Sequence, residues 1–175
     1  MIEVTTTYLE IGALHELQRK PAAHSRFIVR EAVVAQWQLN RFLYLFVGER
    51  WGWMDKRSWK DERWQAYTGS PDLRTFIGFI EGSIAGYYEL HRKGSEVEIA
   101  YFGLAPEFIG QGLGAALLSS ALENAFAWGA RRVWVHTCTL DHPAALRNYV
   151  ARGMRVYASS TERRAEITER TEAVI

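Results

Sequence analysis

The spacing of apolar positions along the chain changes period several times, and each change marks an element. From Ile2 to Ile11 the residues are rich in Val and Thr with Tyr8 among them, which predicts a strand. Residues 12–25 mix polarities around Pro21 without a period and are expected to be irregular, and Arg26–Arg30 suits a short strand. Val34, Trp37, Phe42, Leu45 and Phe46 recur at helical spacing. They predict a helix over Glu31–Phe46 that ends near Gly48, with Phe42 and Phe46 turned inward. An aromatic loop, Glu49–Lys56, leads to a second helix expected to start at Ser58, which supplies an N-cap ahead of Asp61 and Glu62. Thr68-Gly69-Ser70-Pro71 ends that helix.

Strand patterns follow. Leu73–Ile80, a Glu81-Gly82 turn, Ser83–Arg92, a Lys93-Gly94-Ser95 turn and 96–104 read as an antiparallel meander. Val97–Leu104 is apolar and aromatic around one carboxylate, Glu98, as in a buried strand. Pro106 stops it, and Leu113, Leu117, Leu118, Ala121, Leu122 and Ala125 then mark a helix running to about Trp128. Arg131–Leu140 is a further strand, Asp141–Arg152 a short helix that Asp141 can cap, and Met154–Ser159 a last strand. The tail 160–175 is dominated by charge and Thr and is expected to be a solvated helix or disordered. The order β–α–α–β–β–β–α–β–α–β places one parallel crossover, 96–104 to 131–140, beside antiparallel hairpins. The fold class is α/β (α+β), with a mixed, mostly antiparallel sheet.

Composition narrows the classes. A chain of 175 residues suits one domain, residues 1–175. A net charge of +1 carries no electrostatic footprint for nucleic acid or an anionic membrane. No apolar run is long enough to span a bilayer, and Met1-Ile2-Glu3-Val4-Thr5 lacks the regions of a signal peptide, so a cytoplasmic protein is expected. Cys138 is the single cysteine, which leaves no disulfide framework or thiolate metal cluster, and no metal is expected. A homodimer is left open. The one excess is tryptophan: of seven, five lie between Trp37 and Trp64.

Gly110, Gly112 and Gly114 alternate where the long helix begins. Glycines there let backbone N–H groups approach an anion that the helix dipole favours. A P-loop would need Gly-Lys-Ser/Thr, but Ala115 follows Gly114. Gly110-x-Gly112-x-x-Ala115 fits the loose dinucleotide fingerprint, yet few βαβ units could follow it. Leu104-x-Pro106-Glu107-Phe108-x-Gly110-Gln111-Gly112-Leu113-Gly114 instead resembles the acetyl-CoA pyrophosphate loop of the GNAT N-acetyltransferase superfamily, with Ile109 where that loop carries Arg or Gln. Leu140-Asp141-His142-Pro143-x-Ala145-Leu146-x-x-Tyr149-x-x-x-Gly153 is similar to the superfamily's second signature. Asp141 replaces its Asn, Met154 its Phe, and one extra residue precedes Tyr149. Tyr101-Phe102-Gly103-Leu104 and His136–Pro143 resemble a bacterial GNAT subgroup of unassigned substrate.

The resemblance implies the GNAT fold and acetyl transfer from acetyl-CoA to an amine, here of a small molecule. A primary amine is protonated at pH 7, and freeing it costs roughly 4–5 kcal/mol, so a general base is expected. Glu98, inside an apolar strand, is the candidate base, because burial moves carboxylates toward the working range. The resemblance puts the catalytic Glu of some acetyltransferases at this position. Glu89 is the rival base and the other carboxylate assigned to the acceptor side. The resemblance makes Tyr149 the acid that protonates the leaving thiolate, a contribution of about 10²–10⁴ in rate. The N–H groups of Gln111, Gly112, Gly114 and Ala115 are expected to take the pyrophosphate. Phe102 and Leu104 are expected to pair with the pantetheine by main chain, and Asp141 is assigned to the cofactor as well. Trp51 and Trp53 flank Gly52 in the aromatic loop and are expected to grip an acceptor with an apolar or aromatic body and one amine. His136 and Cys138 share a strand face and leave an acyl-enzyme route open. A non-catalytic acyl-CoA-binding module, and a protein N-terminus or lysine as acceptor, are the alternatives.

Overall fold

The computed structural model describes residues 1–164. Seven strands form one sheet: β1 (Ile2–Ile11), β2 (Phe27–Glu31), β3 (Leu73–Ile80), β4 (Ser83–Lys93), β5 (Glu96–Leu104), β6 (Arg132–Cys138) and β7 (Arg155–Arg164). Their spatial order is β2-β3-β4-β5-β6-β1-β7. Four α-helices accompany them: α1 (Trp37–Gly48), α2 (Asp61–Thr68), α3 (Leu113–Ala127) and α4 (Ala145–Ala151). All strand pairs are antiparallel except β5 with β6, which α3 joins as the expected crossover. No described helix is long and apolar enough to cross a membrane.

The sheet separates two apolar layers. On one face, Leu117, Leu118, Ala121, Leu122 and Ala125 of α3 pack with Leu9, Leu90, Val97, Ile99 and Val135 of the strands and Tyr149 of α4. On the other face, Leu43 and Val47 of α1 pack with Ile77 and Tyr87, and Trp53 wedges against them. A Cβ on Gly48 would lie 2.3 Å from the Trp53 ring, and one on Gly103 would lie 2.5 Å from Val47 Cγ1. Glycine at these two positions is what lets the aromatic loop seat against the sheet.

The feature that positions the site is a fork. β5 and β6 pair only from Glu96–Glu98 to Arg132–Trp134. Beyond that, β5 follows β4 alone, and the register slips so that Glu89 faces Tyr101 while Leu90 faces Ile99. Ala100 is the extra residue of a β-bulge, which bends β5 away from β6. β6 meanwhile continues against β1, as far as Cys138 opposite Thr6.

Several boundaries differ from expectation. β2 extends to Glu31 and Ala32 N–H donates to Thr75 O, so the chain is still extended where a helix was expected. Val33 and Val34 are exposed and α1 begins at Trp37. Phe42 stacks on Phe46 but is 49% exposed; Leu43, Tyr44 and Val47 face the core instead. Ser58 does not start α2, because Trp59 N–H closes a turn onto Lys56 O and the helix starts at Asp61. Asp141 does not cap α4: its carboxylate folds back to the end of β6, and the helix starts at Ala145. The last strand runs to Arg164, through residues expected to belong to the tail; the remaining tail, 165–175, lies outside the described residues.

Two turn glycines separate backbone strain from collision. Gly94 has φ +65° with open space around it, whereas at Gly153, φ +96°, a Cβ would lie 2.2 Å from Glu16 O. Gly94→Ala is expected to lower stability by about 1–2 kcal/mol from strain alone. Gly153→Ala should add roughly 1–3 kcal/mol for the clash. Urea midpoints of the two variants check the difference.

Candidate active site

A cavity of about 1070 Å³ passes through the fork. Its wall combines the glycine loop and α4 on one sheet face with the aromatic loop and α2 on the other. Gly110, Gly112, Gly114, Ala115, Phe102, Leu104, Asp141 and Tyr149 line it from β5, the glycine loop and the α4 region, and Trp51, Trp53, Lys56, Trp59, Tyr67 and His91 from the aromatic loop, α2 and β4. Glu98 and Tyr101 line it beside the point where the strands part.

In the glycine loop, Gly112 is the N-cap of α3 in a left-handed conformation, φ +75°, and no side chain caps the helix. The first-turn N–H groups therefore have no intrahelical partner, and the positive end of a 15-residue helix faces the cavity wall. Asn148 Nδ2 donates to Gly114 O at 3.1 Å, fixing the loop against α4. Gln111 is not part of the wall; its side chain turns back to Glu107 O at 2.8 Å.

The edge of β5 offers a second set of free groups. Ala105 N–H donates to Ala85 O, which makes that pair hydrogen-bonded. Antiparallel pairs alternate, so Tyr87/Gly103 and Glu89/Tyr101 are bonded, while Gly86/Leu104 and Tyr88/Phe102 are not. The backbone groups of Phe102 and Leu104 thus point away from β4, across the fork. An extended ligand with amide groups could pair with them as an added strand. The free helix terminus suits an anionic group, and this edge suits an extended amide-bearing arm.

Glu98 is 8% exposed. Its Oε2 lies 2.8 Å from Lys93 Nζ, and its Oε1 lies 3.8 Å from His136 Nδ1. Across β4 it stands opposite His91, whose basicity burial reduces. Tyr149 is buried on α4 with Phe102 6.0 Å away, ring to ring. Burial, and then the charge of Asp141, push its phenol well above the ordinary range, so it holds its proton at neutral pH. Asp141 Oδ2 accepts from Thr137 Oγ1 at 2.6 Å and Cys138 N–H at 3.0 Å. Cys138 and His136 both line the cavity.

The acceptor-side residues divide. Trp51 lines the cavity edge-on to His142, centroids 5.0 Å apart. Trp53 also lines it but packs against Tyr44, Tyr87 and Tyr101, so much of its ring is core. Glu89 is not in the wall. It is 1% exposed, accepts from Asn40 Nδ2 at 2.9 Å and from the Tyr67 phenol, and is pushed toward its neutral form by burial. Glu89, expected on the acceptor side, is thus not among the residues that the cavity brings together; it lies beneath α1 and α2, held by Asn40 and Tyr67.

Lys56 enters the sequence pattern only as the last residue of the aromatic loop. It is 5% exposed, and its Nζ lies 3.8 Å from the Tyr101 ring centroid and 3.9 Å from that of Tyr67. Tyr44 and Tyr101 donate their phenols to Asp55 next to it. Burial pulls the Lys56 ammonium down to about 8, opposed chiefly by the charge of Glu89. The sequence cue was present, a lysine between Trp53 and Trp59, but a loop has no period to say where it points.

The family model described as "Acetyltransferase (GNAT) family" matches residues 33–154. An uncharacterized N-acetyltransferase of Mycobacterium tuberculosis is 31% identical over 102 residues, 58% of this chain and 65% of the relative. One from Mycobacterium bovis matches equally. The chain thus spans just under two thirds of these relatives. A GCN5-related N-acetyltransferase from Sphaerobacter thermophilus superposes with TM-score 0.64 at 20% identity, over 89% of this chain and 49% of that one. One from Kribbella flavida gives 0.65 at 18%, over 90% and 56%. An aminoglycoside acetyltransferase from an uncultured soil sample gives 0.59 at 17%, over 72% and 86%.

By carbon-13 NMR of lysine ε-carbons, Lys56 is expected to titrate near pH 8, apart from the other lysines. Glu89→Gln removes a charge that favours the ammonium and should move that midpoint lower. A midpoint in the ordinary lysine range, or one that rises in the variant, contradicts this placement of the side chain.

Proposed function

Since the chain belongs to the Acetyltransferase (GNAT) family, we propose that it moves an acetyl group from acetyl-CoA to the primary amine of a small molecule. The observation that carries this reading is one cavity shared by an uncapped helix N-terminus, a free strand edge and a buried carboxylate. Acetyl-CoA supplies the activated acyl group. The N–H groups of Gly112, Gly114 and Ala115 take its diphosphate, with Gln111 contributing its backbone alone, and Phe102 and Leu104 pair with its amide arm. Asp141 acts from the end of β6 as a support for this wall.

Transfer takes two protons from the acceptor nitrogen and returns one to the leaving sulfur. Glu98, held by Lys93, takes the proton from the acceptor ammonium, directly or through water. The freed nitrogen then forms its bond to the acyl carbon, gives up a second proton to water, and the carbon–sulfur bond breaks. Tyr149 hands its phenolic proton to the departing sulfur; its raised affinity for that proton suits an acid that must stay protonated at neutral pH. Trp51, with the exposed part of Trp53, grips the apolar or aromatic body of the acceptor. The protein acts in the cytoplasm without a metal.

Thiol release from acetyl-CoA, followed over a panel of small amines, tests the reading. Glu98→Gln should lose about 10²–10⁴ in turnover at neutral pH and recover as pH rises and the amine frees itself. An equal loss at every pH removes Glu98 from the role. No release with any amine, despite acetyl-CoA binding, removes the transferase reading.

Gly114→Ala isolates the diphosphate contact. A Cβ there meets only Asn148 Nδ2 at 3.6 Å and Leu104 Cδ1 at 3.7 Å, ordinary contacts, so melting temperature should hold. The acetyl-CoA KM should rise about tenfold, the loss of roughly 1.4 kcal/mol of anion contact. An unchanged KM argues against this loop as the cradle.

A further inference from the structure

The transferase reading leaves one charged group in the cavity unexplained. Lys56 is almost entirely buried, yet it borders the cavity between the aromatic loop and α2. Its ammonium has three donors. Among the described residues, no carboxylate makes an ion pair with it and no acceptor hydrogen-bonds it; its near neighbours are ring faces.

The charged and titratable groups around Lys56 are Asp55 on its own loop, Glu89 and His91 on β4, Glu98 on β5 and Arg63 on α2, with burial reducing the basicity of His91. Each acid is otherwise engaged. Asp55 accepts from the phenols of Tyr44 and Tyr101. Glu89 accepts from Asn40 and Tyr67. Glu98 is held by Lys93. Arg63 lies over Trp59, 4.1 Å from its centroid, and provides no acceptor. The aromatic faces attract the ammonium but supply no oxygen or nitrogen acceptor for its hydrogen bonds.

We propose that Lys56 anchors a carboxylate on the acceptor, so that the substrate class is amines whose apolar or aromatic body also carries a carboxylate. This rests on the transferase reading for the position of the amine, which Glu98 meets at the fork. Lys56 meets the other end. The acceptor is then zwitterionic and lies across the cavity between a carboxylate and an ammonium of opposite sign to its own ends. A polycationic amine is disfavoured by the same geometry, because one of its charges would face Lys56.

The test uses two matched pairs. In binding, 3-phenylpropionate and 3-phenylpropionamide are titrated calorimetrically into the full chain at pH 7. The acid should bind at least tenfold more tightly, and the advantage should fade as pH rises through about 8, where the ammonium is lost. Lys56→Met keeps the packed stem and should bind acid and amide alike, whereas Lys56→Arg should keep the preference. In turnover, phenylalanine and phenylalaninamide should differ in the same direction, mainly in KM, and converge in Lys56→Met. Failure of the native chain to prefer the acid, including failure to bind either compound, overturns the proposal, as does a preference that survives in Lys56→Met. A preference for the acid in binding without turnover of any amine upholds the anchor and removes the transferase reading. Turnover of both amines with equal KM does the reverse.

Discussion

The structure depends on hydrogen bonds that β5 and β6 do not make. A buried backbone group without a partner costs about 1–3 kcal/mol, so a sheet does not open without cause. Here the cause is local: the bulge at Ala100 adds a residue to β5 and bends it along β4, while β6 stays with β1. Glu98 stands at the closed end of the resulting gap, and the N-terminus of α3 borders the cavity that runs through it. Phe102 and Leu104 present main-chain groups along it. Close the fork, and the free edge, the cavity and the carboxylate that lines it disappear together.

Opposite the helix end, the chemistry is one of prior engagement. Burial keeps the phenols of Tyr44, Tyr67 and Tyr101 protonated. They therefore act as fixed donors, to Asp55 and to Glu89. Two carboxylates that look available in the sequence are thereby committed to the framework, which holds α1, α2 and the aromatic loop to the sheet. What remains free in the wall is the ammonium among them.

Legibility followed periodicity. The meander over β3, β4 and β5 and the stripe of α3 were readable because alternation and helical spacing each recur several times there. The parallel crossover followed from their order. Helix starts were misread at Glu31, Ser58 and Asp141, because a residue that can cap a helix can equally close a turn or hold a strand end, as Asp141 does. Glu98 stood out as a carboxylate in an apolar strand, and Tyr149 through its signature; both line the cavity. Glu89 stood out for the same reason as Glu98 yet is buried, since it lies on β4, away from the gap and beneath α1 and α2, where Asn40 and Tyr67 hold it. Lys56 was not singled out, because its surroundings are rings that α1, α2 and β5 bring to a loop whose direction no period shows.

The place of β1 in the sheet bears on how the molecule assembles. This first strand lies between β6 and β7, and the hydroxyls of Thr5 and Thr161, 156 positions apart, are bonded at 2.9 Å. During synthesis β1 has no neighbour to pair with until β6 emerges, so its apolar face must wait while the meander and α3 collapse without it. Pairings so distant in sequence close large loops and slow the search for the native state. Among the described strands, the pairings of β1 with β6 and β7 therefore carry the largest loop-closure cost. The cleft wall contributed by Thr6, Tyr8 and His136 is completed only when the two ends of the described chain meet.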